Sequence, residues 1–105
     1  MKNDEKIKII IIDSGVLSIH PHLSVDKIKG FTFTQEGILD DFVDIYGHGT
    51  AIYSTIRVCI PFAEILNIKI DNIENGIEEE TLIDILEYID KNINVNIINL
   101  SLGYS

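Results

Sequence analysis

Short apolar runs alternate with helical stretches along this chain of 105 residues. Residues 7–12 are almost continuously apolar and β-branched, which is typical of a parallel strand covered on both faces. Residues 65–70 and 96–102 have the same character and predict two more strands. Phenylalanine and threonine alternate over residues 30–34, which predicts a short extended piece at the surface.

Two helices are predicted between these strands. The first begins in the segment 47–50 and ends near Cys59, before Pro61. The second covers residues 78–91, where one apolar face repeats at helical spacing. The members of that face are Leu82, Ile85, Leu86 and Ile89. Because the crossovers are long, the order strand, helix, strand, helix, strand predicts parallel strands in an open, three-layer α/β sheet.

Composition narrows the class of protein. The length fits one domain, residues 1–105, and a 46% share of hydrophobic residues is ample for its core. The formal net charge is −9, so a nucleic-acid partner, which needs a basic footprint, is not expected. Cys59 is the only cysteine, which excludes an internal disulfide and favours a cytoplasmic location. No apolar run is long enough to cross a membrane, so no membrane partner is expected.

Two side chains with catalytic potential lie at element boundaries. Asp13 directly follows the first strand, and His48 opens the first helix. In an open parallel sheet both positions lie at the carboxyl edge, so the two side chains can meet. A buried carboxylate bonded to histidine Nδ1 fixes the tautomer and leaves Nε2 facing a nucleophile. Each residue alone has a simpler interpretation, as a turn aspartate and a structural histidine, so the hypothesis rests on their combination.

Four segments together resemble the subtilisin-like serine proteases, the subtilase family. IIDSGVLSIHPHL is similar to the family's aspartate segment, GHGTAIYSTI to its histidine segment, AEILNIKI to the next strand and IINLSLG to its substrate-binding strand. The resemblance implies that Asp13 orients the histidine and that His48 is the general base and acid. It also implies that Ser101, Leu102 and Gly103 form an edge on which an extended peptide substrate pairs. A plain strand end is the alternative for those three residues.

The chain also departs from the family's pattern. Ala51 stands where members often have a second histidine, and His22 replaces the usual acidic residue after His20-Pro21. The two histidines have no further metal ligands near them in the sequence. The three aspartates within residues 40–44 lack the donor spacing and the glycine of a calcium loop. We therefore predict no metal and no other cofactor.

The family's nucleophile has no counterpart in this sequence. Neither the oxyanion-stabilising asparagine segment nor the Gly-Thr-Ser segment is recognisable in the 105 residues. No serine lies in a Gly-Thr-Ser or G-x-S-x-G context. The serines are Ser14, Ser18, Ser24, Ser54, Ser101 and Ser105. Because triad members act as a unit, the isolated chain is not expected to hydrolyse peptides.

The apolar strands predict a protein partner. If both crossovers ran in the same direction, both helices would cover one face of the sheet, and an apolar face and an edge strand would stay open. A chain that winds both ways would cover both faces. Because an open face or edge normally marks an interface, we expect a second polypeptide.

Three functions are compatible with these patterns. A second polypeptide could supply the serine segment and complete a serine endopeptidase, for a task such as clipping a leader or precursor peptide. The chain could instead be an N-terminal fragment of an ordinary protease, or an inactive, peptide-binding relative. Intact Asp13 and His48 motifs favour the two enzymatic hypotheses, because a decayed binding module needs neither. Met1 and the lack of a prosegment favour a natural short chain.

Overall fold

A mostly parallel sheet lies between two helices. The computed structural model describes residues 7–17, 28–71 and 76–101, and within them five strands form one sheet. The elements in chain order are β1 (Lys8–Asp13), β2 (Lys29–Thr34), β3 (Gly37–Leu39), α1 (His48–Cys59), β4 (Glu64–Ile70), α2 (Glu79–Asn92) and β5 (Ile97–Leu100). The predicted α/β class is confirmed.

The strand order explains why β1 is so apolar. The order is β3-β2-β4-β1-β5, with β1 paired in parallel to both β4 and β5. Strand β2 pairs in parallel with β4, and β3 pairs antiparallel with β2. A parallel strand that has neighbours on both sides and helices above and below meets little water, so its central positions, residues 9–12, favour isoleucine.

Successive side chains of β1 point into two separate cores. Ile10 and Ile12 pack in a cluster with Leu82, Ile85 and Ile89 of α2. On the opposite face, Ile9, Ile11 and Ile65 cluster with Tyr53 of α1. Because strand side chains alternate between faces, the two helices must lie on opposite sides of the sheet.

The chain therefore winds both ways. Helix α1 lies in the connection from β2 and β3 to β4, and α2 lies in the connection from β4 to β5; α1 packs on one face of the sheet and α2 on the other. In the part of the chain that the structure describes, each face of the sheet packs against one helix, so the fully uncovered face expected for a chain that winds one way is absent there. Apolar side chains are also exposed along the edge strand β5, where Ile97, Ile98 and Leu100 are 48%, 38% and 36% exposed.

Two local features differ from the sequence-based expectation. The segment predicted as a surface piece is strand β2 of the sheet, and Thr32 in it is buried and donates a hydrogen bond to the carbonyl oxygen of Asp41. Strand β3, which forms a hairpin with β2, was not predicted, because its three residues are all exposed and carry no alternating pattern. The last residue of the predicted strand 96–102 lies outside the described residues.

Helix α2 offers a matched test of the core. Ile85 is fully buried, whereas Ile83 on the same helix is 47% exposed. We expect Ile85→Ala to lower the free energy of unfolding by about 2–5 kcal/mol, through lost burial and the cavity left behind. Ile83→Ala should change it by less than about 1 kcal/mol, since alanine also favours the helix. Urea unfolding of both variants measures the difference, and equal losses would contradict the assigned packing.

Neither described helix is both long and apolar enough to cross a lipid bilayer.

Candidate active site

The carboxyl end of β1 and the start of α1 bring Asp13 and His48 into contact. Nδ1 of His48 lies 2.9 Å from each carboxylate oxygen of Asp13. The Asp13 side chain is 1% exposed and that of His48 is 51% exposed. A buried carboxylate thus holds a half-exposed imidazole by one nitrogen, which leaves Nε2 for a reacting group on the solvent side. The backbone N–H of Ser14 also donates to Asp13, at 2.7 Å, and fixes the carboxylate.

A second buried carboxylate, Asp44, lies behind this pair and was not predicted from the sequence. Its Oδ1 accepts hydrogen bonds from the backbone N–H groups of Tyr46 and Gly47, at 2.9 and 2.8 Å. Its Oδ2 accepts from the backbone N–H of Thr50, at 2.9 Å. An aspartate whose side chain bonds amides two and three positions later forms a local turn of the Asx kind. In the sequence this turn is indicated only by an aspartate three residues before Gly47.

Two hydroxyl groups connect Asp44 to more distant backbone. The Ser14 hydroxyl donates to Asp44 Oδ1 at 2.7 Å and accepts from the Gly49 N–H at 2.9 Å. The Thr50 hydroxyl donates to Asp44 Oδ2 at 2.6 Å and accepts from the Leu17 N–H at 2.8 Å. Each hydroxyl therefore bridges a backbone N–H group and the Asp44 carboxylate. The end of β1, the loop before α1 and the first turn of α1 are fastened together at one point.

Hydrogen bonds keep Asp44 ionised despite its burial. Burial alone would raise its pKa, but the bonds from Thr50, Ser14 and Gly47 outweigh that effect and hold the pKa of Asp44 below its ordinary value. Since none of the first-turn residues of α1 is acidic, Asp44 supplies the negative charge that the helix dipole favours there.

Two glycines allow the strand end and the helix to approach closely. A Cβ added at Gly49 would lie 2.2 Å from the carbonyl oxygen of Gly15. Gly15 has φ +100°, and a Cβ there would lie 2.2 Å from the carbonyl oxygen of Phe42. Only residues without a side chain fit these contacts, which bring the first turn of α1 onto the end of β1.

The other residues singled out in the sequence are placed as follows. The Ser14 hydroxyl is buried and engaged by Asp44 and Gly49, so it does not face His48. Ser101 is exposed beyond β5, and its hydroxyl accepts a hydrogen bond from the Asn99 side chain at 3.0 Å. Leu102 and Gly103 of the predicted substrate edge lie outside the described residues, as do His20 and His22. The catalytic and substrate-binding roles therefore stay predictions.

Among residues 7–17, 28–71 and 76–101, no group of three or more histidine, cysteine, aspartate and glutamate side chains is arranged to hold a metal ion.

Comparison with known proteins relates the chain to serine proteases. It is 32% identical over 108 residues to an intracellular serine protease of Paenibacillus polymyxa, an alignment that covers 92% of this chain and 33% of the relative. It is 32% identical over 111 residues to the major intracellular serine protease of Bacillus subtilis, covering 94% of this chain and 34% of that protein. No protein-family model matches the chain.

These similarities support a subtilase-like relation over most of the chain. The chain spans about a third of the length of the curated relatives it matches. The α/β sheet and the two helices are compatible with part of a subtilase-like fold.

Proposed function

We propose that this chain is the aspartate- and histidine-bearing part of a subtilisin-like serine endopeptidase, with Asp13 as the orienting carboxylate and His48 as the general base and acid. The nucleophilic serine and the oxyanion asparagine come from another polypeptide or from a segment beyond these 105 residues. The single observation that carries the proposal is the bond of His48 Nδ1 to the buried Asp13 carboxylate. In such a pair the aspartate fixes the imidazole so that Nε2 can take a proton from a serine hydroxyl.

The chemistry assigns each group a separate step. Nε2 of His48 removes the serine proton as the serine oxygen attacks the scissile carbonyl carbon, and the imidazolium then returns that proton to the leaving amine. The Asp13 carboxylate stabilises the imidazolium. Because the Ser14 hydroxyl is buried against Asp44 and Gly49, it cannot act as the nucleophile. The isolated chain is therefore inactive in this proposal.

The partner is proposed to pair along β5. This strand lies at the edge of the sheet within the described residues, and its Ile97, Ile98 and Leu100 side chains are more than a third exposed. An apolar edge of this kind supports docking of another strand, which would bury the isoleucines and pair with the backbone N–H and C=O groups that no described strand pairs. A peptide substrate, such as a leader or precursor segment, is proposed to pair at Ser101, Leu102 and Gly103.

A cytoplasmic location belongs to the same proposal. The single cysteine, Cys59, suits a reducing compartment, and both relatives are named intracellular proteases.

Labelling of a captured partner tests the function. The chain carries an affinity tag in its native cell, and the captured complex is treated with a fluorophosphonate probe, which reacts with activated serines. We expect a partner polypeptide to be labelled when the wild-type chain captures it and not when His48→Ala does, because the serine then lacks its base. Thr55→Ala, on the exposed side of α1, is the matched control and should leave labelling unchanged.

Two outcomes would count against the proposal. A partner that binds but is never labelled would identify a peptide-binding relative without catalysis. Equal labelling with the wild-type chain and with His48→Ala would show that the serine is activated independently of this chain.

A further inference from the structure

We propose that Asp44 is the positioning residue of the Asp13–His48 pair: its carboxylate fastens the first turn of α1 to the end of β1 and so holds the His48 ring on Asp13. The catalytic meaning of this inference rests on the proposed function. The geometry itself can be measured in this chain without a partner or a substrate.

Helix α1 has no cap of its own. Its N-cap residue is Gly47, which has no side chain and takes φ +93°. The free N–H groups of the first turn are therefore satisfied from elsewhere, that of Gly49 by the Ser14 hydroxyl and that of Thr50 by Asp44 Oδ2. The Ser14 hydroxyl in turn donates to Asp44, so both bonds lead to the Asp44 carboxylate. Its position therefore determines where the helix begins and at what angle it leaves the sheet.

His48 is the first residue of that helix. The Nδ1 atom is within hydrogen-bond distance of both Asp13 oxygens, so a displacement of the first turn by about 1 Å is enough to lengthen both contacts beyond that distance. The neighbours of His48 on either side, Gly47 and Gly49, bring no side chain that could hold the turn in place. The five hydrogen bonds that Asp44 accepts supply the restraint instead.

An ionised carboxylate is required for this arrangement. All five groups that face Asp44 donate hydrogen, three to Oδ1 and two to Oδ2. An asparagine has one acceptor oxygen and an NH₂ group. Either the three donors at Oδ1 or the two at Oδ2 would then face that NH₂ group, which is itself a donor. Asp44→Asn therefore keeps the size of the side chain and breaks either the loop side or the helix side of the connection.

The tautomer of His48 reports the positioning directly. In the ¹⁵N-labelled full chain, imidazole nitrogen shifts are recorded by NMR at a pH where the ring is neutral, and His48 is assigned by comparison with His48→Ala. A ring held on Asp13 carries its proton on Nδ1. We expect Asp44→Asn and Thr50→Val to lower the ratio of the Nδ1–H to the Nε2–H form by about fivefold or more, the size of one weakened charge-assisted hydrogen bond.

Two matched variants should keep the wild-type ratio. Asp41→Asn changes an exposed aspartate of the same loop, which accepts one bond of 3.3 Å from the Val43 N–H. Thr50→Ser retains the hydroxyl that bridges Leu17 and Asp44, and so restores what Thr50→Val removes. Lower stability alone would reduce the melting temperature without changing the ratio in the folded protein.

The inference is overturned if Asp44→Asn and Thr50→Val both fold and keep the wild-type ratio, or if both fail to fold, since Asp44 then serves stability only. Because the measurement needs neither partner nor substrate, its result is separate from the probe labelling. A changed ratio without labelling would defeat the proposed function and keep the role of Asp44, and the reverse pair of results would do the opposite.

Discussion

Hydrolysis of a peptide by the complex of this chain with the serine-bearing polypeptide should fall by about 10⁴- to 10⁶-fold when His48 is replaced by alanine, the range measured for triads of the subtilisin type. The reason is that the serine hydroxyl loses the group that accepts its proton. For Asp13→Asn the loss of activity should lie near the lower end of this range. The asparagine leaves the ring in place, but it removes the negative charge that stabilises the imidazolium and fixes the tautomer.

Steady-state kinetics on a chromogenic peptide measure both effects. The loss should appear in kcat with little change in KM, because neither side chain is proposed to bind the peptide. Thr55→Ala again serves as the control, since Thr55 is exposed on the same helix and bonds only to the carbonyl oxygen of Ala51 in the described contacts. Activity of His48→Ala within tenfold of the wild-type complex would show that the base lies elsewhere.

Gly49→Ala should destabilise the fold by about 3 kcal/mol or more, at the upper end of the cost of overpacking. At most helix positions this change is favourable by up to about 1 kcal/mol, because alanine is the better helix former. Here the added Cβ would lie 2.2 Å from the Gly15 carbonyl oxygen, 2.9 Å from the Gly15 nitrogen and 3.1 Å from the Ser14 nitrogen. These are backbone atoms, so no side chain can rotate away and α1 must separate from β1.

Gly37→Ala provides the matched comparison in the β2–β3 hairpin. Gly37 has φ +137° and no atom within 4 Å of the added Cβ, so only backbone strain opposes the change, at a cost of about 1–2 kcal/mol. Urea unfolding of both variants separates the two causes. A Gly49→Ala variant as stable as the wild type would mean that the helix does not contact the strand end as described.

The sequence predicts the elements that have strong periodicity and misses those that do not. The prediction for α2, residues 78–91, differs by one residue at each end from Glu79–Asn92, because a repeating apolar face leaves little choice of register. Strand β3 has no such pattern. Which face α2 covers depends on how the chain passes over the sheet between β4 and β5, and no local residue pattern encodes that path.

The candidate site was predictable in part for the same reason. Asp13 and His48 lie at element ends that parallel topology brings to one edge, so their contact follows from the order of the elements. Asp44 lies in a loop of irregular polarity, and three of its partners, Ser14, Thr50 and Gly47, become visible as one group only in the folded chain. Its role could not be read from periodicity.

The connection at Asp44 also bears on how the chain folds. Asp13 and His48 are 35 positions apart, and Asp44 meets Ser14 across 30 positions, so no local stretch of chain contains the pair. Contacts of such sequence separation form only after a large loss of chain entropy, which the rest of the sheet must offset. Until β1 has been brought to the start of α1, the folding chain has no His48 imidazole oriented by Asp13. We therefore expect the reactive geometry to form together with the native topology and not before it.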